Sequence, residues 1–338
     1  MYIVETQCEW FVSIFFYTHT DTHTNTDTVW AMSEKEIVRL LRKLQEQVRK
    51  LSADVRSLQD GRPQGLSELR GMLRRRGLDP YRENPVHHLL FPPTFSQEEK
   101  EQFYDLFRRY SFRIFLREVL NRKGGFRVSE VVRYSSPETG RKYLRSLMDL
   151  GLAEPLKGRV YRLHSILTAS LGPTLEWFMA EVLRREFACP AFYGLRCKGT
   201  RFGGDYDVVA SLEGRLLYME VKSSPPKNIE GGEVHEFVSR LEDLIPQLAF
   251  FFVDTELRLK DKIVPFFEAE QSAQRGWGRE AGLPIQRIAD EIFFAPPRVY
   301  ILSSKGSISR NIAACFKHHF TFPLIHRPEV GVAAWRSN

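Results

Sequence analysis

The sequence predicts an α/β protein, and three observations carry that prediction. After residue 166, short apolar or β-branched runs alternate with segments of helical period, the pattern of strands interleaved with helices in one sheet. Between residues 96 and 165, capped helical segments lead into two short strands about Lys157-Gly158. Ahead of them an apolar seven-residue repeat runs from Ile37 to Leu58. With 338 residues, 43% hydrophobic and 27% charged, the chain has the composition of a globular protein with room for more than one core.

Residues 1–32 differ from the rest. They hold four acids and no Lys or Arg. The run "CEWFVSIFFY" is too short to cross a bilayer and lacks the basic flank of a signal peptide. The Thr-rich "THTDTHTNTDT" cannot build a core and reads as disordered. The expectation is a dispensable or non-native extension, with Met32 as the natural start. His19 and His23 within it are not expected to bind metal.

Residues 33–60 read as a coiled-coil helix. Ile37, Leu41, Leu44, Val48, Leu51, Val55 and Leu58 follow steps of four and three. Val at one seam position and Leu at the other favours a parallel two-stranded coiled coil, hence a homodimer. The alternative is a helix folding back on its own chain. Gly61-Arg62-Pro63 ends the segment. Residues 61–95 then read as a basic, Pro-punctuated linker, in which His87 and His88 pack or face solvent.

Residues 96–165 have the layout of a winged helix-turn-helix. Ser96 and Glu99 form a capping box ahead of "KEQFYDLFRRYSFRIFLREVL", taken as one helix. "VSEVVRY" supplies a second, and Ser136-Pro137 caps a third. A β-ribbon about Lys157-Gly158 follows. On the third helix Arg141, Lys142 and Arg145 lie on or near one face, with Tyr143, Leu144, Leu147 and Met148 supplying the buried one, so the exposed side suits a DNA major groove. Lys157 and Arg159 add charge on the ribbon. Residues 33–165 carry 28 basic and 17 acidic residues, against 21 of each in 166–338, so the basic balance belongs to this part of the chain. The competing reading is a protein-binding wing with solvated arginines.

Within 166–338, "YDVVASL" and "RLLYMEV" flank Glu213-Gly214 and predict a β-hairpin. Asp207 leads into its first strand; Glu220 and Lys222 close its second. In an antiparallel pair those ends meet, which sets two carboxylates and an ammonium together. Partly buried carboxylates call for a cation, and oxygen ligands of this kind suit Mg²⁺ or Mn²⁺. Lys222 shares a face with Glu220 and can steady an attacking water or a charged phosphate. A rim salt bridge between Lys222 and an acidic neighbour is the structural alternative.

The stretch "GGDYDVVA...LLYMEVKSS" resembles the Gly-Glu-x-Asp-hydrophobic-hydrophobic-Ala and hydrophobic-Glu-Val-Lys pattern of the PD-(D/E)xK nucleases. The likeness is to their Holliday-junction-resolvase-like members, within the restriction-endonuclease-like fold. Asp205 stands where those relatives often carry Glu. The resemblance implies a mixed sheet flanked by helices over 166–338. It gives Asp207 and Glu220 as metal ligands and Lys222 as the lysine. The family's core opens with a helix bearing another Glu, and "LGPTLEWFMAEVLRREF" offers Glu176, with Glu181 in reserve. Gln247 in "PQLAFFF" echoes a Gln-x-x-x-Tyr element, but Phe251 replaces the Tyr, and a helix-ending polar role is expected.

Downstream, "VHEFVSRLEDLI" and "SISRNIAACFKHHF" read as helices, "QLAFFFVDT" and "PPRVYILSS" as strands, and Asp254 as a turn residue. Residues 256–292 contain no legible motif. Cys8, Cys189, Cys197 and Cys315 form no CxxC pair, which argues against zinc and for reduced thiols in the cytoplasm. There is no Walker loop or dinucleotide fingerprint. The combined expectation is a metal-dependent DNA endonuclease that partners DNA and no membrane. Its alternatives are a non-enzymatic winged-helix regulator and an interaction protein with a nuclease-like scaffold.

Overall fold

The computed structural model describes residues 44–47, 64–122, 124–132, 135–164, 170–273 and 283–325. The chain divides into two compact units, Met1–Gly61 and Arg62–Asn338. Of the first, residues 44–47 form a turn of helix with exposed side chains. The remainder of the 33–60 stem, the extension 1–32 and Cys8 lie outside the described residues.

The second unit begins with helix α1 (Gln64–Arg74) and strand β1 (Asp79–Arg82). Expected as linker, these residues instead join the main sheet. Leu69, Met72 and Leu73 recur on one face of α1 and are buried beneath the sheet. Arg70 grips Glu83 through Nε and Nη2 at 2.6–3.0 Å, which ties the helix to the chain beyond β1.

The helical segment comprises α2 (Gln97–Phe107), α3 (Tyr110–Leu120), α4 (Val128–Val131) and α5 (Pro137–Asp149). Strands β2 (Ala153–Pro155) and β3 (Tyr161–Leu163) follow and pair antiparallel. Ser96 caps α2 in a reciprocal box with Glu99, and Ser136 caps α5 with Pro137 in its first turn. Two expectations need correction. The run from Lys100 to Leu120 is two helices, because Arg109 is extended (φ −83°, ψ 119°). The buried Arg113 guanidinium donates to the carbonyls of Phe107 at 2.7 Å and Arg108 at 3.2 Å, replacing helix bonds that the break removes. The "VSEVVRY" helix is only the four residues of α4.

The main sheet belongs to α6 (Gly172–Phe187), β4 (Ala191–Lys198), β5 (Asp205–Leu212), β6 (Arg215–Lys222), α7 (Gly231–Leu244), β7 (Leu248–Val253), α8 (Ile263–Ser272), β8 (Gln286–Ala289), β9 (Ile292–Ala295), β10 (Val299–Ser303) and α9 (Ile308–Ile325). Its order is β1-β4-β5-β6-β7-β10-β9-β8. The β6–β7 and β7–β10 pairs are parallel and the others antiparallel. The fold is therefore mixed α/β, with helices on both faces of a mixed sheet. Residues 256–292, without a motif in the sequence, contribute α8, β8 and the start of β9.

Strand alternation sends Val208, Leu217 and Phe250 toward α6 and α9, and Val209, Leu216 and Phe251 toward α1, α7 and α8. The helical segment shares the first of these cores. Phe91 stacks edge-on against Trp177 with centroids 4.9 Å apart, and Phe107 lies 5.2 Å from Phe178.

Candidate active site at the open end of the β5–β6 hairpin

The hairpin turns through Glu213 (φ 49°) and Gly214 (φ 73°). Two successive positive φ values match the right-handed twist of the strands. Antiparallel pairing runs from Leu212↔Arg215 to Val208↔Met219 and stops there. Beyond it Asp207 accepts a hydrogen bond from Val221 N–H at 2.7 Å, so its carboxylate replaces a backbone partner where the strands part. Opposite Asp207 on β4 sits Gly194, with φ 53°. A Cβ there would come within 2.7 Å of Pro85 Cγ and 3.6 Å of a Glu176 oxygen. Glycine at this position adopts the positive φ and leaves room for the Pro85 ring, while Glu176 lies at ordinary contact distance beside it.

The structure brings Asp207, Glu220, Lys222 and Glu176 together, and their charges act on one another. The Asp207 carboxyl is enclosed, although the residue as a whole is only partly buried. Burial first, then the Glu220 and Glu176 charges, push it well above the usual carboxylate range. Glu176 is pushed up to about 7 by burial and by Glu220, against the opposing pull of Arg82. Burial works to lower the Lys222 ammonium, but Glu220 and Glu233 overcome it and hold it raised. Its Nζ lies 3.0 Å from an oxygen of each.

Glu220 is 3% exposed, and its oxygens are crowded with donors. Arg240 Nη1 donates to both oxygens at 3.1 and 3.0 Å, Lys222 to Oε1, and the Tyr218 hydroxyl to Oε2. A carboxylate offers about four acceptor directions, so Glu220 is saturated by protein groups. Tyr218, Glu233 and Arg240 were not among the residues the sequence singled out. Each was signalled: Tyr218 precedes Glu220 by two on the same strand face, and Glu233 and Arg240 lie seven apart on one flank of α7. Arg240 Nε and the neighbouring Tyr206 hydroxyl are buried without a hydrogen-bond partner among the described residues.

These observations bear on metal binding. Among the described residues, no three His, Cys, Asp or Glu side chains form a ready-made cage. Asp207 and Glu176 fit a divalent cation as enclosed oxygen donors beside a third carboxylate, whose mutual repulsion a cation would relieve. Glu220 fits only after giving up a donor.

Other candidates fall elsewhere. Glu181 pairs with Arg184 and Arg185. Asp205 is exposed and pairs with Arg196 and Arg82. Gln247 accepts from Leu216 N–H and caps a strand. Asp254 is fully buried against Arg113 and Arg117. His87 and His88 are exposed. Cys189, Cys197 and Cys315 are free and buried, and burial drives the first two thiols up to about 11 and about 12. Arg141, Lys142, Arg145, Lys157 and Arg159 are all exposed on α5 and the β2–β3 ribbon; Met148, expected on the buried face of α5 with Tyr143, Leu144 and Leu147, is exposed as well, at the helix's last turn. Lys142 is paired with Glu138 at 2.9 Å. No described helix is long and apolar enough to cross a membrane.

No family model matches the chain, and no curated protein matches it. Two solved structures are similar to it. Protein VC1899 from Vibrio cholerae shares 13% identity at a TM-score of 0.46, over 74% of this chain and 62% of that one. Can2 from Sulfobacillus thermosulfidooxidans, in complex with cyclic tetra-adenylate, shares 14% identity at a TM-score of 0.34, over 54% of this chain and 50% of that one. The chain thus spans less than two thirds of the length of either.

Proposed function

We propose that the protein is a metal-dependent DNA endonuclease of the PD-(D/E)xK type, with a restriction-endonuclease-like catalytic sheet and a winged-helix segment that engages DNA. The observation that carries this reading is the convergence of Asp207, Glu220, Lys222 and Glu176 where the hairpin strands part, with Asp207 and Glu176 raised by burial first and by neighbouring carboxylates second. Asp207 and Glu220 would hold Mg²⁺ or Mn²⁺, with Glu176 completing the shell. Such an ion polarises a phosphate oxygen and lowers the pKa of a bound water. Lys222, kept protonated by Glu220 and Glu233, donates from Nζ to orient that water or the phosphate. Glu176, pushed up to about 7 by burial and the Glu220 charge when no cation is present, would release its proton on joining the ion's shell. Two chains paired through the 37–58 seam would present two such sites to opposite strands.

One observation favours a second reading, a winged-helix DNA-binding regulator whose nuclease-like domain is a scaffold: Glu220 is already satisfied by Arg240, Lys222 and Tyr218. A cleavage assay on linear, supercoiled, single-stranded and branched DNA with Mg²⁺ or Mn²⁺ separates the two. Asp207→Asn or Lys222→Met is expected to lower cleavage by about a hundredfold or more while duplex binding persists. Tight DNA binding by wild type with no cutting of any substrate would hand the lead to the regulator.

A further inference from the structure

Resting on the metal-site reading above, we propose that Arg240 is a positioning residue that serves as the resident counter-ion of Glu220 and competes with the divalent cation for that carboxylate. The guanidinium bridges both oxygens of Glu220 through one nitrogen, at 3.1 and 3.0 Å. With Lys222 on Oε1 and the Tyr218 hydroxyl on Oε2, no acceptor direction remains for an ion. Lys222 is held twice over, by Glu220 and Glu233, and Tyr218 is fixed in the core between Tyr206 and Phe237. Lys222 and Arg240 each have a second carboxylate to hand, but among these donors Arg240 alone contacts both oxygens of Glu220, so its departure frees a direction on each.

Its second terminal nitrogen already lies 3.4 Å from Glu236, one turn back on α7 and exposed. Rotation toward Glu236 would keep the guanidinium paired while releasing Glu220. The clamp is also incomplete, because the buried Nε has no partner where it now stands. A planar fork loses little when it exchanges one carboxylate for another. Arg240 thereby holds the Glu220 carboxylate in place when no cation is present, and it sets how tightly one can be taken up.

The test is titration of the full chain with Mn²⁺ alone, following free Mn²⁺ by electron paramagnetic resonance, with circular dichroism to verify folding. Removing a positive charge within hydrogen-bond range of the acceptor is expected to tighten Mn²⁺ binding at least about tenfold in Arg240→Gln. Arg240→Lys should fall between this variant and wild type. The gain should vanish when Glu220→Gln is added, because the competition runs through that carboxylate. The proposal is overturned if folded Arg240→Gln binds Mn²⁺ no more tightly than wild type, or if the gain survives Glu220→Gln. If Arg240→Gln does not fold, Arg240→Lys decides, and an affinity no tighter than wild type counts against the proposal. Absence of Mn²⁺ binding in wild type and every variant would sink the metal-site reading and the proposal together. A wild type that binds Mn²⁺ while Arg240→Gln shows no gain would sink the proposal alone.

Discussion

Arg113 of α3 and Asp254 at the end of β7 form a fully buried ion pair, with nitrogen to oxygen distances of 2.8–3.1 Å. The side chain of Asp254 thus belongs to the helical segment, while its backbone N–H donates to Lys222 O at 2.8 Å in the candidate site. Arg117 adds a further contact at 3.1 Å from a more exposed position. Asp254→Ala would strand the Arg113 charge in the core, at a cost of about 3–5 kcal/mol. Arg117→Ala leaves the buried pair intact and should cost about 1 kcal/mol. Urea denaturation followed by circular dichroism measures both, and equal losses would show that the pair is not the dominant tie.

The carboxylates make stability depend on pH. Below about 4.5, the ordinary carboxyl value, Glu176 is protonated whether folded or not; above about 7 it is ionised in both states. Between these limits the folded protein holds a proton that the unfolded chain has lost. Stability in the presence of a chelator should therefore fall as pH rises through this window, by an amount on the order of 2–3 kcal/mol. Asp207, also raised, acts in the same direction. Glu176→Gln should flatten the slope and be the more stable protein above pH 7. Denaturation curves from pH 4 to 8 read this directly, and an unchanged slope in the variant would assign the dependence to other groups.

The exposed basic residues should differ in their contribution to duplex binding. Among the described residues, Lys142 is tied to Glu138 by an ion pair, whereas Arg141 acts on that carboxylate only at longer range. Replacing Arg141 or Arg145 by Ala should weaken binding and reduce the salt slope by about one per lost phosphate contact. Lys142→Ala should do less. Fluorescence anisotropy at several salt concentrations provides the slopes, and identical slopes for all three variants and wild type would remove α5 from the DNA interface.

What the sequence made legible was local. The hairpin follows from period-two alternation about Glu213-Gly214, and the meeting of Asp207 with Glu220 follows from the hairpin. The helix caps at Ser96 and Ser136 were equally readable, since each motif is complete within four residues. The break between α2 and α3 was not, because the group that stabilises it, Arg113, owes its place to Asp254, which lies 141 residues away. Strand β4 was hidden by Gly194, Arg196 and Lys198, which interrupt an apolar pattern where the strand twists and where it pairs with the short strand β1. At the end of α1, Arg74 and the following Arg75 and Arg76 read as a basic linker and masked the helical spacing of Leu66, Leu69 and Leu73. The closure of Glu220 by Arg240 required knowing that α7 covers this end of the sheet.

The aromatic core that runs from Phe91 and Phe103 to Trp177 and Phe178 has a consequence for how the protein is made. A polypeptide released after residue 165 would expose one half of that surface to water, and a fragment starting at 166 the other. Neither piece carries a complete interior, so during synthesis the helical portion must wait for α6 to leave the ribosome before it can settle. Premature chain termination in between would leave a sticky aromatic face and a substrate for quality-control proteases in place of a working half.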